Sequence, residues 1–477
     1  MIDSSLLRHI GGYVAGGWVS GDESFGVLNP ATGDELARVP EMGGDSTHLA
    51  IDSAAQAIQQ PVPIDRRRQW LDGLYELLMS HKEDLAKIIT LEQGKPLKES
   101  RAEVEYAAGF FRFFAEQLQI LAPHHLPRPV RNLQWTIHHR PAGVVGLITP
   151  WNFPLAMLAK KLAPAMAAGC GIIAKPAELT PLTAIALWNL MQSLEIPPGW
   201  VNLVVGQPKA IGEAMFAHPA VRLISFTGST ETGRILIHQS AAHIKRLSLE
   251  LGGNAPYLVM DDADIVLAAD ALMANKFRCA GQTCVCANRI LVHRNVEQAF
   301  TRAVVERVGR LRTGDGMDSA TDIGPLINRA AVEKVNRHVE DAIRRGAKLA
   351  VRNQLTADRR GNFYAPTVLN NVTEEAQMFQ EETFGPVVPI ATFDSDEQAL
   401  RMANSTPYGL AAYVFSRSHD RADFLVNKLN FGHVGVNTGM GPTPETPFGG
   451  MKQSGFGREG GIEGLLEYTE AQTVPHL

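Results

Sequence analysis

The sequence predicts an α/β protein with mostly parallel sheets, and two observations predict it. From Gly143 onward, short apolar runs that are typical of strands alternate with longer segments of helical periodicity. The composition is that of a globular chain, with 45% hydrophobic and 20% charged residues among 477, which excludes a disordered or fibrous protein. Such alternation predicts right-handed crossovers and helices on both faces of each sheet. The length suggests several domains.

The part of the chain before Gly143 is predicted to form short strands, then helices, then a hairpin. Residues up to about Gly44 are rich in glycine and turn residues. Helical periodicity begins after Asp65, and a second helix is predicted to stop at Gly94. A third helix is expected over Ser100–Leu121, followed by a proline-bounded excursion over 123–141.

Two strand–helix series follow. The first has strands expected at 144–149, 171–175, 201–205 and 222–226, and helices at 156–168 and 182–194. The second starts near Ala255, with strands expected at 256–260 and 290–292 and helices at 296–308 and 330–345. A last strand is expected over 467–474. The sequence has no internal repeat, and no low-complexity linker separates the two series. The domains are therefore predicted to be interleaved.

Charge and cysteine content restrict the partners and the compartment. The formal net charge is −5, so the sequence has no basic excess of the kind that binds nucleic acid or membrane surfaces. No apolar run is long enough to span a bilayer, and the first residues lack the pattern of a secretory signal. Only four cysteines occur, which is typical of a reducing compartment, so we expect a cytoplasmic protein.

Two turns at strand ends are candidates for binding a nucleotide. The run FTGSTETG, Phe226–Gly233, lies at a strand-to-helix transition, where backbone N–H groups can face a phosphate. Its spacing differs from G-x-G-x-x-G, and an ordinary helix cap at Ser229 or Thr230 is the alternative. The run KPAE places Lys175 and Glu178 at another strand end, where they could bind a ribose or form a surface ion pair.

Three of the four cysteines, Cys279, Cys284 and Cys286, lie within eight positions. Their C-x4-C-x-C spacing without an adjacent histidine disfavours a metal site. Cys279 lies in an apolar, helix-like run and suits a packing role. Cys284, in a Gly-Gln-Thr turn, could be a nucleophile or an inert thiol.

A nucleophile needs a base and a group that stabilises an oxyanion. Glu250, in LELGGNAP, could be a general base if burial raises its pKa, or a surface strand residue. Asn152, in PWNFP, could donate to an oxyanion from a proline-bounded loop, or could be a simple turn asparagine.

Together these motifs resemble the aldehyde dehydrogenase superfamily. PWNFP, KPAE, FTGSTETG, LELGG, FRCAGQTCVCANR, EETFGP and PFGGMKQSGFGRE occur in the family's order between about Ile148 and Glu459. NPATGD near the start and EYTE near the end extend the resemblance over nearly the whole chain. Within the superfamily, the sequence is most similar to the succinate-semialdehyde dehydrogenase branch.

The resemblance implies a role for each matching residue. Cys284 matches the catalytic thiol, Glu250 the general base and Asn152 the oxyanion donor, which acts with the backbone N–H of Cys284. The residues that match the family's cofactor contacts are Thr149, Pro150, Trp151, Lys175, Glu178, Gly206, Thr227, Gly228, Ser229, Gly233, Glu382 and Phe384. Cys284 and Cys286 could form a reversible disulfide, as in some semialdehyde dehydrogenases that this chain resembles.

The resemblance also implies the domain organisation. It predicts a Rossmann-type cofactor domain over 1–122 and 143–251, interleaved with an α/β catalytic domain over 252–445. A small β oligomerisation element is expected over 123–142 and 446–477. The family assembles through this element, so we expect a homodimer or homotetramer.

The implied reaction is NAD-dependent oxidation of an aldehyde to a carboxylic acid through a thiohemiacetal and a thioester. Glu178 favours NAD over NADP, because a carboxylate that accepts from the ribose 2′-hydroxyl would repel a 2′-phosphate. The expected substrate is succinate semialdehyde or a similar carboxylate-bearing semialdehyde. Its far carboxylate would be held by Arg278, by Lys160 at a position where the branch has arginine, and by Thr443 where the branch commonly has serine.

Three alternatives remain from the sequence. One is a broader ω-semialdehyde, aliphatic or aromatic aldehyde dehydrogenase, because lysine lacks the planar fork of arginine. Another is a catalytically silent binding protein, which the intact Cys284, Glu250 and Asn152 disfavour. The third is a cysteine-dependent acyl hydrolase or transferase without redox chemistry, which the cofactor motifs disfavour.

Overall fold

The computed structural model describes residues 4–21, 23–355 and 361–477. Its α-helices are α1 (Gly44–Ala57), α2 (Ile64–Ser80), α3 (Lys82–Gln93), α4 (Leu97–Gln117), α5 (Ala156–Ala168), α6 (Leu182–Met191), α7 (Pro208–Ala217), α8 (Thr230–Ser240), α9 (Ile265–Lys276), α10 (Arg294–Val308), α11 (Arg329–Arg344), α12 (Gln377–Gln380), α13 (Asp396–Asn404), α14 (His419–Val426) and α15 (Gly461–Leu466).

The strands are β1 (Gly12–Val14), β2 (Gly17–Val19), β3 (Ser24–Leu28), β4 (Glu35–Pro40), β5 (His124–His125), β6 (Gln134–Pro141), β7 (Val144–Ile148), β8 (Gly171–Lys175), β9 (Val201–Leu203), β10 (Val221–Thr227), β11 (Arg246–Glu250), β12 (Ala255–Val259), β13 (Ala287–His293), β14 (Lys348–Arg352), β15 (Thr367–Asn370), β16 (Val387–Phe393), β17 (Ala411–Phe415), β18 (His433–Val436), β19 (Gly455–Phe456) and β20 (Thr469–His476).

The first large sheet has a doubly wound parallel centre. Its order is β19-β11-β10-β7-β8-β9-β1-β2, and the five strands from β11 to β9 run parallel. In chain order these five are arranged 3-2-1-4-5, so the direction of winding reverses between β7 and β10. Ligands bind in the crevice at such a reversal, outside the carboxyl ends of the strands. The sheet is thus the Rossmann-type unit that the sequence predicts.

The second large sheet has the order β14-β15-β16-β13-β12-β17-β18. All neighbours are parallel except β14 and β15. Short loops join the sheets: β11 ends at Glu250 and β12 starts at Ala255. The amino ends of β12 and β13 therefore come close to the carboxyl end of β11, and residues between the two sheets can share a cavity.

A separate three-stranded sheet has the order β20-β6-β5 and is antiparallel. β5 and β6 form the hairpin expected over 123–141. Within 446–477, β19 pairs with β11 of the first sheet and α15 packs against α5. Only β20 joins the hairpin. The further division into functional domains stays a prediction.

The helices are placed by their apolar faces and their ends. α2 buries Trp70, Leu71, Leu74 and Leu78, and α5 is buried on almost every face, as expected of a helix enclosed by other elements. Gly94 and Gly169 end α3 and α5 in the left-handed conformation, for which glycine has no steric penalty. In the part of the chain that the structure describes, no helix is both long and apolar enough to cross a membrane.

Candidate active site

The carboxyl edge of the first sheet faces the second sheet across a cavity of about 840 Å³. Most of the site residues predicted from the sequence line it. They are Pro150, Trp151, Asn152, Lys160, Thr227, Gly228, Ser229, Glu250, Arg278, Cys284, Glu382, Phe384 and Thr443. The structure thus brings the candidate nucleophile, base and oxyanion donor to one place from three distant parts of the chain.

Cys284 follows a strained turn. Cys279 and Ala280 have φ values of 52° and 54°, in the left-handed region that non-glycine residues rarely adopt. The helix-like run around Cys279 therefore ends in an irregular turn, and the Cys279 side chain is buried as a packing residue would be. A Cβ at Gly281 would lie 2.3 Å from the carbonyl oxygen of Gly385, so this position tolerates only glycine. The turn presents Cys284 to the cavity half-buried.

The surroundings of the Cys284 thiol shift its pKa. Burial raises its pKa to about 12, although the Lys160 ammonium acts in the opposite direction. Cys286 is buried beside it, and its thiol donates to the carbonyl oxygens of Lys276 and Ala287 at 3.7 and 3.5 Å.

The side-chain amide of Asn152 makes one hydrogen bond and keeps a second N–H free to donate. Its Nδ2 donates to the carbonyl oxygen of Gln282 at 2.9 Å, which ties the PWNFP loop to the turn before Cys284. The residue is 6% exposed. The second hydrogen on Nδ2 can donate to an oxyanion, as a side-chain amide does in an oxyanion hole.

Glu250 ends β11 as a buried carboxylate. Neither of its oxygens has a hydrogen-bond partner among the described residues, and its residue exposure is 3%. Burial, together with the nearby Glu459 carboxylate, raises the pKa of Glu250 well above its ordinary value, while Lys160 and Lys161 partly offset the shift. A carboxylate in this condition suits proton transfer near neutral pH.

Lys160 and Lys161 share one acceptor. Lys160 Nζ lies 2.7 Å from Glu459 Oε2 and 4.8 Å from the centre of the Phe448 ring, and Lys161 Nζ donates to the other oxygen of Glu459. Although burial alone would raise it, the two ammonium groups hold the pKa of Glu459 below its usual range. Lys160 is therefore neither a helix-surface charge nor an unpaired cation in the cavity wall.

Arg278 differs from Lys160 in having no carboxylate partner within ion-pair distance in the described part of the chain. Its guanidinium stacks 4.7 Å from the centre of the Phe153 ring. The residue is exposed and lines the cavity with Thr443 and Tyr106. Its hydrogen-bond donors are thus available to an anion.

The predicted ribose contacts lie beside the main cavity. Lys175 ends β8, and its Nζ lies 3.0 Å from Glu178 Oε2. Lys175 is buried, whereas the Glu178 side chain is 32% exposed. Gly206 follows β9 with a φ of 148°, where a Cβ would lie 2.5 Å from the carbonyl oxygen of Met42. Lys175 and Glu178 thus form an ion pair at a strand end of the first sheet.

At the crevice between β7 and β10, where the winding reverses, two buried hydroxyl groups have no hydrogen-bond partner among the described residues. These are the hydroxyls of Thr149 and Thr227. Ser229 caps α8 by accepting from the backbone N–H of Thr232 at 3.1 Å, so the helix cap considered from the sequence is present. Gly228 and Gly233 bound this turn. Orphaned hydroxyls and a helix start at one crevice fit a dinucleotide.

Glu382 and Phe384 reach the cavity from the segment before β16. Glu382 Oε1 accepts from the backbone N–H of Gly253 at 3.3 Å, and burial raises the pKa of this carboxyl group to about 7. The Phe384 ring meets the Trp151 ring edge-on at 5.7 Å between centres. These contacts join the PWNFP loop to the second sheet.

The arrangement combines a thiol, a buried base and an amide donor in one enclosed space. These groups can form a covalent adduct at a carbonyl carbon, stabilise its oxyanion and activate water to release an acyl group. No cluster of three or more His, Cys, Asp or Glu side chains with metal-binding geometry occurs in residues 4–21, 23–355 and 361–477.

The sequence analysis did not single out several residues of the site. Glu459, Lys161, Tyr106 and Phe448 all help to form or charge the cavity wall. The adjacent lysines at 160 and 161 on a largely apolar helix were the available signal, because two buried cations require an anion. The identity of that anion was hidden by the 298 positions between Lys161 and Glu459.

Comparison with known proteins identifies the family. The Aldehyde dehydrogenase family matches residues 18–474. The chain is 45% identical over 478 residues to the mitochondrial succinate-semialdehyde dehydrogenase of Arabidopsis thaliana, covering 99% of this chain and 90% of that protein. It is 43% identical over 472 residues to the NADP(+) succinate-semialdehyde dehydrogenase of Escherichia coli, covering 98% of each. The crystal structure of an oxidoreductase from Marinobacter aquaeolei superposes with a TM-score of 0.98 at 49% identity, covering 100% of both chains.

Proposed function

Since the chain belongs to the aldehyde dehydrogenase family and is an NAD(P)-dependent oxidoreductase acting on aldehydes, we propose that it oxidises succinate semialdehyde or a similar carboxylate-bearing semialdehyde. The observation that carries the proposal is the exposed guanidinium of Arg278 on the wall of the cavity that holds Cys284. Two of the similar proteins described above are named as succinate-semialdehyde dehydrogenases.

Cys284 is the nucleophile in this proposal, and Asn152 is the oxyanion donor. The Cys284 thiol loses its proton to solvent water, the resulting thiolate attacks the aldehyde carbon, and the free N–H of Asn152 Nδ2 and the backbone N–H of Cys284 stabilise the tetrahedral oxyanion. The bound nicotinamide supplies a hydride acceptor, and Thr149, Thr227, Ser229 and Glu382 are among the residues that would hold it. Glu250 then deprotonates a water molecule, which releases the acid from Cys284.

The far carboxylate of the substrate pairs with Arg278. Lys160 contributes less than the sequence suggests, because Glu459 already occupies its ammonium group. Thr443 and Tyr106 offer hydroxyl groups on the same wall.

We expect succinate semialdehyde to be oxidised with a higher kcat/KM than butanal, which has the same chain length without the carboxylate. Arg278→Met should raise the KM for succinate semialdehyde about 10- to 100-fold, because it removes a hydrogen-bonded charge pair, and should change the KM for butanal little. Arg278→Lys is the matched control that keeps the charge and loses the fork. Equal kcat/KM for the two aldehydes in the wild-type enzyme would refute the substrate proposal in favour of a broad-specificity enzyme.

NAD is proposed as the preferred cofactor over NADP. The support is Glu178, whose partly exposed carboxylate at the end of the first-sheet strands would accept from a ribose hydroxyl and repel a 2′-phosphate. The proposal has to be tested directly, because the similar Escherichia coli protein is named as an NADP(+) enzyme.

The ratio of kcat/KM with NAD to kcat/KM with NADP should exceed one and should fall about tenfold or more in Glu178→Gln, since like-charge repulsion is removed. Glu195→Gln is the control. Like Glu178, Glu195 forms an ion pair, in its case with Arg66, but its side chain is 83% exposed. Glu195 does not line the cavity. A wild-type preference for NADP contradicts the proposal, as does a ratio that is the same in both variants and the wild type.

Assembly, location and redox control extend the proposal. The three-stranded sheet exposes most of β20, which suits contact with a second copy of the chain in a homodimer or homotetramer. Four free thiols are compatible with a reducing cytoplasm. The reversible disulfide between Cys284 and Cys286 stays a prediction.

A further inference from the structure

The segment between Gln93 and Glu103 touches both loops that build the candidate oxyanion site. It contains the end of α3, the left-handed Gly94 and the first two turns of α4. Of its side chains, Gln93, Lys95, Glu99 and Glu103 point towards the site. None of them lines the cavity, so they do not meet the substrate.

Lys95 contacts the main chain of the PWNFP loop. Its Nζ donates to the carbonyl oxygen of Asn152 at 2.7 Å and lies 3.6 Å from the centre of the Phe153 ring. The same Nζ forms an ion pair with Glu103 Oε2 at 2.6 Å, and both side chains have an exposure of 0%.

Glu103 continues the contact to the start of α5. Its other oxygen accepts from the backbone N–H groups of Leu155 and Ala156 at 2.9 and 3.2 Å. Lys95 and Glu103 thus hold the loop from both sides of Asn152. An ion pair without solvent is expensive to bury, and its gain in stability is uncertain. A positioning role explains why these charges are there.

The neighbouring side chains hold the turn that precedes Cys284. Glu99 Oε2 accepts from the backbone N–H of Cys279 at 2.7 Å, and Gln93 Nε2 donates to Cys279 Sγ at 3.2 Å. The Cys279 thiol lies 3.6 Å from the carbonyl oxygen of Asn152, as a weak donor. The Asn152 carbonyl is therefore the point at which the two loops and the α3–α4 segment meet.

We propose that Lys95, together with Glu103, is a positioning residue that sets the side-chain amide of Asn152 relative to Cys284. Lys95 acts through the main chain of Asn152 and does not contact the reacting atoms. The inference rests on the proposed role of Asn152 as the oxyanion donor. A displacement of about 1 Å in such a donor costs on the order of 10²-fold in rate.

A double-mutant cycle tests this coupling. Lys95→Met alone would leave a buried, unpaired carboxylate and could unfold the protein, so the main variant is Lys95→Met with Glu103→Gln. This pair removes both charges and keeps an acceptor for the N–H groups of Leu155 and Ala156. It is made in the wild-type and in the Asn152→Ala background. The rate constant of the first NADH turnover is measured, with the NAD dissociation constant and the melting temperature.

The charge-removing pair should slow the first turnover about 10- to 100-fold in the wild-type background and less than about twofold in the Asn152→Ala background. Lys98→Met is the matched control, because Lys98 lies three positions along, is 56% exposed and pairs with Asp322 at 2.7 Å. It should change the rate less than about twofold.

Two rate measurements would overturn the inference. One is an equal loss of rate in both backgrounds, which would mean that Lys95 and Glu103 act independently of Asn152. The other is a full rate in the folded pair variant. A full rate in Asn152→Ala alone would instead remove the proposed oxyanion role, so the two failures can be told apart. A variant pair that does not fold in either background also counts against a positioning role, since it shows that the charges are needed for folding.

Discussion

Replacing Cys284 with serine is expected to lower the rate of aldehyde oxidation on the order of 10³-fold or more. A serine hydroxyl is a much poorer nucleophile than a thiol near neutral pH. The change is nearly isosteric, so binding of NAD and the melting temperature should remain close to those of the wild-type protein. Stopped-flow absorbance of NADH measures the loss, and a thiol-specific reagent should label the wild-type protein at Cys284 first.

Cys170→Ser is the matched control for this substitution. Cys170 is fully buried, and its thiol donates to the carbonyl oxygen of Tyr468 at 3.3 Å. A hydroxyl can make the same bond, and Cys170 is not part of the cavity lining, so its variant should retain most of the activity. Comparable activity in the two variants would show that Cys284 is not the nucleophile.

Glu250→Gln should slow steady-state turnover by about 10²- to 10⁴-fold, the usual range for the loss of a general base. A burst of NADH should precede the slow phase, because the amide can no longer activate the water that releases the acyl group from Cys284. Rapid-mixing absorbance and trapping of the acylated protein by mass spectrometry provide the measurement.

The pH dependence of turnover should identify the same group. Glu250 works as a base only when it is deprotonated, and its pKa is raised well above 4.5 by burial and by Glu459. The wild-type rate is therefore low below that raised pKa and increases as pH rises through it. This limb should disappear in Glu250→Gln.

Glu92→Gln is the control for the pH experiment. Glu92 is also a fully buried carboxyl group, and burial raises its pKa to about 8, but it accepts from the N–H groups of Leu182 and Thr183 outside the cavity. Its variant should keep the rising limb. If the rising limb remains in Glu250→Gln and disappears in Glu92→Gln, the titrating group is Glu92. That result would contradict the role of Glu250.

Much of the fold can be predicted from the sequence because local residue patterns determine the strands and helices. β8 and α5 lie where the apolar runs and the helical periodicity place them, since burial on both faces of a parallel sheet requires continuous apolar strands. The turns that carry Asn152, Glu250 and Cys284 could be identified as motifs. Asn152 and Glu250 meet at the carboxyl edge of the first sheet, and Cys284 reaches the same cavity from the amino end of β13 in the second sheet.

Contacts between distant residues were beyond such patterns. The ion pair between Lys160 and Glu459 changes the expected substrate clamp. The residues next to Lys160 and to Glu459 in the sequence do not predict this pairing. The left-handed Cys279 is a second case, because the composition around it is typical of a helix although its φ is 52°. The pairing of β19 with β11 is a third case, because a strand of two residues has too little sequence pattern to predict its partner.

The close approach of Gly281 to Gly385 has a consequence for the order in which the molecule folds. The turn before Cys284 packs closely against the segment that leads into β16, which lies about a hundred positions further along the chain. Contacts of this separation form late, after the entropy of closing a long loop has been overcome. A nascent chain that ends before Gly385 therefore contains Cys284 without this packing contact on its turn, and the contact forms only when the segment leading into β16 has been added.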